Sequence, residues 1–395
     1  MSKSDQMNPA QSIGLKRELG RYGNTSSDST RLVCFGGIHG NEPAGVLALE
    51  RVLAYLKTSG LKLKGELIAF SGNRQALQRG QRYLAEDLNR VWTEEILQQV
   101  LNKPAALYNV EELELVELYS AIKTITDSCH RIYFLDLHTT SSKSQPFSIF
   151  NDTLRNRKFA EAIKAPLILG LEESIDGTLV NFLTERGYES IVFEAGQHDD
   201  QDSVNRHETA IWFAMAAAGL LAYNDIPNLA EREKIQQTTI AGIPHIVEII
   251  YCHEIGYEDG FKMYPGFHNF QKVTADICLG SDKNGEIYAN ADALLFMPLY
   301  QGQGNDGFFL VQPVKSIWLK VSSLLRRLHI EPLLHKLPGI SQDPDSPDTL
   351  IINRHVARWA VLEIFHLLGY KKDIRDNGVV TMRRRKFDIK GPIGL

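Results

Sequence analysis

The sequence predicts an α/β fold, a mostly parallel mixed sheet with helices on both faces. Three observations predict it. Short, continuously apolar runs recur, as in RLVCF (31–35), RIYFLDLH (131–138) and SIVFEAG (190–196), and such runs mark strands buried on both faces. Between them lie stretches with apolar residues at helical spacing, such as AGVLALERVLAYLK (44–57). The two kinds alternate, which is the order that a sheet with crossover helices requires.

Taken in order, residues 1–30 are polar and end in GNTSSDST, a loop-like N-terminal segment. The strand at 31–35 runs into GGIHGNE, a turn, and Pro43 suits the first position of the next helix. GELIAF (65–70) is a predicted strand, 110–128 a helix, 131–138 a strand and APLILG (165–170) a strand. A helix at 177–187, a strand at 190–196 and an Ala- and Leu-rich helix at 204–222 complete a domain over 31–225. Residues 224–238 read as a polar linker. The next part, 240–312, holds apolar runs separated by Gly, Asp and Asn turns and predicts a smaller all-β domain. Residues 313–395 form an α+β extension, with helical spacing in HVARWAVLEIFHLLGY (355–370) and a strand pair around VVTMRRRKFDI (379–389).

Composition excludes several classes. With 395 residues, 43% hydrophobic and 23% charged, the chain has the make-up of a soluble globular protein large enough for two domains. A net charge of -5 gives no basis for a nucleic-acid or anionic-membrane partner. No apolar stretch reaches the ~20 residues needed to span a bilayer. The N-terminal residues lack the apolar core of a secretory signal, so a cytoplasmic location is expected. Cys34, Cys129, Cys252 and Cys278 are scattered and read as reduced thiols. The basic run at 383–386 reads as a solvated face. A homo-oligomer is compatible with all of this.

The chemistry-bearing residues cluster after predicted strands. His39 and Glu42 stand three apart in a turn whose glycines (36, 37 and 40) permit tight folding. His138 closes the strand 131–138, and sites in parallel sheets lie at the carboxyl ends of strands. Two imidazoles and a carboxylate with an open position form a catalytic zinc set, one ion per chain. Asp136 fits either an acceptor that orients a ligand imidazole or a hydrogen-bonded core carboxylate. Glu194 closes the strand 190–196, where an ionisable group must be paired or functional. Arg74, beside Asn73, and the pair Asn89 and Arg90 offer donors suited to a carboxylate. Arg51, Arg79 and Arg82 read as surface salt-bridge partners.

Together GGIHGNEPAG (36–45), GNR (72–74), DLNRVW (87–92), DLHTT (136–140) and FEAG (193–196) resemble the succinylglutamate desuccinylase/aspartoacylase family, a branch of the zinc carboxypeptidase superfamily. The resemblance covers roughly 30–222 and extends less specifically to about 312. It implies a zinc carboxypeptidase-like fold and a zinc-dependent amidohydrolase that cleaves a small N-acyl amino acid bearing a carboxylate. It implies His39, Glu42 and His138 as zinc ligands and Glu194 as general acid/base. It further implies Arg74 on the scissile carbonyl, with Asn89 and Arg90 on the substrate carboxylate. A further substrate-binding arginine of aspartoacylases has no match in step, Arg186 being the nearest. The alternatives are a metallocarboxypeptidase acting on a peptide C-terminus and a non-catalytic metal-binding protein of the same fold. The β-rich domain is expected to roof the site through the loops 257–266 and 301–307, which would restrict it to small substrates.

Overall fold

The central strands carry apolar residues on both faces, and this follows from what lies on either side of them. In strand β2, Leu32 and Cys34 face one hydrophobic cluster while Val33 and Phe35 face another. The computed structural model describes residues 16–26, 28–129, 131–328, 334, 339–344, 346–352, 365–374 and 380–391.

Its elements begin with β1 (Glu18–Gly23), β2 (Arg31–Gly36), α1 (Ala44–Ser59), β3 (Glu66–Ser71), α2 (Arg74–Arg79), α3 (Glu94–Asn102) and α4 (Val110–Thr126). Next come β4 (Ile132–Thr140), β5 (Phe147–Ile149), α5 (Leu154–Ala162), β6 (Leu167–Leu169), α6 (Leu179–Glu185), β7 (Glu189–Gln197), α7 (Asp202–Ala217) and α8 (Leu229–Thr239). The β-rich part holds β8 (Ile246–Glu254), β9 (Lys262–Met263), β10 (Lys272–Val273), β11 (Cys278–Asp282), β12 (Gly285–Tyr288), β13 (Ala293–Phe296) and β14 (Asp306–Pro313). The C-terminal part holds α9 (Ser316–Arg327), β15 (Ile340–Asp343), β16 (Ser346–Ile352), β17 (Tyr370–Ile374) and β18 (Val380–Arg384).

An 11-stranded sheet runs in the order β1-β3-β2-β4-β7-β5-β6-β8-β14-β13-β10. Helices α1, α5 and α7 pack on one face and α3, α4 and α6 on the other. The sheet is mixed rather than mostly parallel. β3, β2, β4 and β7 are parallel neighbours, as are β5, β6 and β8, whereas β1, the β7–β5 junction and the strands beyond β8 pair antiparallel. The antiparallel additions have a local cause. Hairpin-type connections need no crossover helix, and the sequence beyond residue 240 supplies turns instead of helices.

Two stretches differ from their sequence reading. Within the polar N-terminal segment, β1 lies antiparallel on β3 as an edge strand with Arg21 opposite Ile68; residues 1–15 lie outside the described residues. The supposed linker contains α8, a helix with almost no apolar face. It is tied down by Gln236, whose amide donates to the Lys164 carbonyl at 3.1 Å, and by a Lys164–Glu233 pair at 2.6 Å. The predicted helix at 355–370 falls largely on residues outside the described ones. The strand pair near 379–389 is part of a four-stranded sheet, β15-β16-β18-β17. All four cysteines are free thiols, and no described helix is long and apolar enough to cross a membrane.

Candidate active site

The loop leaving β2 is shaped by its glycines in two different ways. Gly37 adopts φ 72°, a left-handed conformation that costs an L side chain energy. Gly36 and Gly40 have no room for a Cβ, which would stand 2.6 Å from the Val46 nitrogen and 2.1 Å from the Ala76 carbonyl carbon. The loop is thereby pressed against α1 and α2, and His39 and Glu42 turn inward beside β4, which carries His138.

His39, Glu42 and His138 are all buried, and their ligand atoms lie within 4.8 Å of one another. The Glu42 carboxylate sits between two imidazoles, with Oε1 at 2.9 Å from His39 Nδ1 and Oε2 at 3.1 Å from His138 Nδ1. On their far sides, His39 Nε2 is 3.1 Å from Asp87 and His138 Nε2 is 2.9 Å from Asp136. With a cation bound, those outer carboxylates would hold the proton on Nε2 and leave the Nδ1 lone pairs facing inward beside Glu42. Two lone pairs and a carboxylate facing one another in a dry pocket form a donor set suited to a divalent cation, with zinc favoured by nitrogen and oxygen ligands. Without a cation, the charges within the cluster balance one another. Burial pushes the Glu42 carboxyl up, but His39 and His138 outweigh it and hold it well below the usual carboxylate range. Burial likewise opposes charge on His138, yet Asp136 and Glu42 raise it well above an ordinary imidazole.

Glu194 stands next to His138 across the β4–β7 pair. It is buried, and its Oε2 has no hydrogen-bond donor among the described residues. Burial pushes its carboxyl up to about 8; His138 opposes this and Glu42 adds to it. Asn89 and Arg90 line the same cavity. The Asn89 side-chain oxygen accepts from the Leu179 N–H at 3.0 Å, and Arg90 donates to Asp306 at 3.1 Å.

Arg74 is elsewhere. Its guanidinium is paired with Glu114 at 3.1 Å and Glu117 at 2.7 Å and does not line the cavity. Position 74 opens α2, and that helix directs the side chain toward α4. Arg82, expected from the sequence to be a surface salt-bridge partner, lines the cavity together with Arg90. Arg82 donates twice to Asp87 Oδ2, at 3.0 and 2.9 Å, and its Nη1 lies 3.9 Å from Glu42. Asp87 therefore joins Arg82, His39 and the Asn89 N–H in one cluster. Burial raises its carboxyl, but Arg82 and then His39 prevail and hold it well below the usual range. Also missed was His198, whose Nδ1 is 2.7 Å from Thr139 Oγ1 and whose Nε2 is 3.2 Å from Gln301. The basic run is not wholly solvated either. Arg385 is buried and pairs with Glu172 at 2.7 Å.

The cavity encloses about 120 Å³. One wall comes from the segment between β13 and β14, where Met297, Leu299, Gln301 and residues 304–306 line it. Gln303 fastens this segment to the Tyr83 carbonyl at 3.2 Å, and Gln301 accepts from the Asn41 amide at 2.8 Å. None of the described residues in 257–266 lines the cavity. The second of the two expected roofing loops thus lies at the site and the first does not.

Residues 28–217 match the sequence model of the succinylglutamate desuccinylase/aspartoacylase catalytic domain. The succinylglutamate desuccinylase of Photorhabdus laumondii is 32% identical over 180 residues, 42% of this chain and 53% of that protein. That of Pseudomonas aeruginosa is 31% identical over 121 residues, 30% of this chain and 34% of the relative. The chain thus spans about half, or less, of the length of these curated relatives. Among solved structures, the succinylglutamate desuccinylase/aspartoacylase from Rhodobacter sphaeroides superposes with a TM-score of 0.55 at 16% identity, covering 75% of this chain and 88% of that one. The succinylglutamate desuccinylase from Vibrio parahaemolyticus gives 0.51 at 15%, covering 74% and 84%. At such identities the structures show a shared fold. The motifs of the loop after β2, of the β4 end and of β7 all lie within residues 28–217, the part of this chain that is similar to the succinylglutamate desuccinylase/aspartoacylase catalytic domain.

Proposed function

We propose that this protein is a zinc-dependent amidohydrolase that cleaves the amide bond of a small N-acyl amino acid. The observation that carries the reading is the pair of inward-facing Nδ1 atoms on Glu42, backed by Asp87 and Asp136, with the unpartnered Glu194 carboxylate in the same cavity. His39, Glu42 and His138 would hold the zinc, which when bound would supply Lewis-acid chemistry for the carbonyl and the attacking water. Glu194 takes the proton of the attacking water and returns it to the departing nitrogen. Arg82 aims a guanidinium at the edge of the ligand set and stabilises negative charge that develops on the carbonyl oxygen. Asn89 and Arg90 orient the substrate's carboxylate. The wall that 297–306 adds to the cavity favours this reading over a peptidase, whose substrate needs an open edge.

The test is a hydrolysis screen over N-acyl amino acids with zinc added back, run beside metal analysis. About one zinc per chain and turnover of at least one small N-acyl amino acid are expected, with zinc lost in His39→Ala and His138→Ala. Full zinc in both variants would end the ligand assignment.

The two arginines separate in the same assay. Arg82→Ala should lower kcat on the order of 100-fold with zinc content kept, and Arg74→Ala should stay within a few-fold of wild type. The opposite ranking would return the carbonyl role to Arg74.

A further inference from the structure

The far end of the cavity carries charges that the hydrolysis does not use. Glu172 lines it just beyond β6, and its side chain is only 2% exposed. Its Oε1 accepts from Arg385, whose guanidinium is shared with Glu173 at 3.3 Å. Its Oε2 has no donor among the described residues. A buried carboxylate oxygen without a donor is unfavourable unless a ligand supplies one. β6 lies three strands from β4 in the sheet order, so Glu172 stands roughly 14 Å along the sheet from the His138 strand at about 4.8 Å per strand. The wall between them is apolar, with Ile149, Leu171, Ile175, Val180 and Val192.

The cavity's cations are already matched. Arg90 is held by Asp306, and Arg82 by Asp87. One substrate carboxylate can still share the Arg90 fork. A second would find no free positive charge among the described lining residues, and would meet Glu172 instead.

We propose that the distal pocket selects an N-acyl amino acid whose side chain is an apolar stem ending in an ammonium, with Glu172 as the receiving carboxylate. This rests on the amidohydrolase reading and names its substrate class. Arg385, from the chain beyond the matched catalytic domain, fixes Glu172 as a positioning residue. Asp306 acts alongside as a determinant against dicarboxylates.

Three probes of similar length test it on the zinc-loaded full chain: Nα-acetyllysine, Nα-acetylnorleucine and N-acetylglutamate. Wild type should show kcat/KM for the lysine compound on the order of 100-fold above the other two. Glu172→Gln should bring lysine down to norleucine while leaving norleucine within a few-fold. Asp306→Asn should raise activity on the glutamate compound. Calorimetric binding of free lysine, norleucine and glutamate to wild type gives the same ranking without a variant or turnover. If wild type hydrolyses these compounds but prefers glutamate or norleucine, or if folded Glu172→Gln keeps the lysine preference, the distal assignment is wrong and the hydrolase reading stands. If neither these nor any other N-acyl amino acid of the screen is hydrolysed yet lysine binds best, the hydrolase reading fails and the distal pocket stands. No preference for lysine in binding or in turnover overturns the proposal.

Discussion

Glu194→Gln should lower kcat by about 10²–10⁴-fold, the range a positioned general acid/base supplies, while the protein keeps its zinc and its melting temperature. The reasoning starts from what Glu194 does not do. It makes no ion pair among the described residues, and its Oε2 receives no hydrogen bond. A carboxylate in the middle of a buried strand that supports nothing around it is not there for the fold. Glutamine has the same shape and removes only the ability to take and return a proton. A structural role predicts the reverse pattern, with a lower melting temperature and turnover near that of wild type. Measuring kcat at saturating substrate with zinc analysis and a thermal melt on the same sample separates the two. Turnover within a few-fold of wild type would place the base elsewhere, with His198 the next cavity residue to test.

The sequence made some of this legible because two signals coincided there. β2, β4 and β7 are buried on both faces, so each is a predominantly apolar run, and an ionisable residue inside or just after such a run stands out. His39, His138 and Glu194 were visible for that reason. Arg82 was not, because it lies in RGQRYLAEDL, a polar stretch with no periodicity. Its burial depends on Asp87, five residues later, meeting it beneath His39. Asp306 and Glu172 were hidden for the same reason, since their partners are 216 and 213 residues away. α8 escaped because its stability comes from Gln236 and Glu233 bonding to Lys164, whereas an amphipathic pattern reports only apolar burial. β1 escaped as an edge strand with one partner, for which no apolar run is required. Arg74 was misassigned because the adjacent Asn73, which caps α2 by accepting from the Ala76 N–H at 3.2 Å, sets a helix whose first side chain leaves the site.

The second large effect concerns the joint between the catalytic domain and the chain that follows β14. Asp152→Ala should destabilise the protein by about 3–5 kcal/mol at neutral pH, the cost of leaving buried charges without their partner. Asp152 pairs through both oxygens with Arg157 and through Oδ2 with Arg326 at 2.7 Å. Arg326, on α9, is fully buried. It also donates to the Asp152 carbonyl at 2.7 Å, to Asp388 at 3.1 Å and to the His366 carbonyl at 2.8 Å. Removing the Asp152 carboxylate leaves the buried Arg157 guanidinium without its ion-pair partner and Arg326 with Asp388 alone. The pH dependence has a definite sign. Burial raises the Asp152 carboxyl, but Arg157 and then Arg326 overcome it and hold it well below the usual range. A carboxyl lowered by folding contributes stability that is complete above its unfolded pKa of about 3.9 and is lost as the pH falls through the folded value. Denaturant unfolding of wild type and variant should therefore show a constant gap from pH 5 to 8 that narrows only below about pH 4. A gap under ~1 kcal/mol at pH 7, the value of an exposed pair, would mean that water reaches the cluster and that Arg326 does not fasten α9 to the catalytic domain.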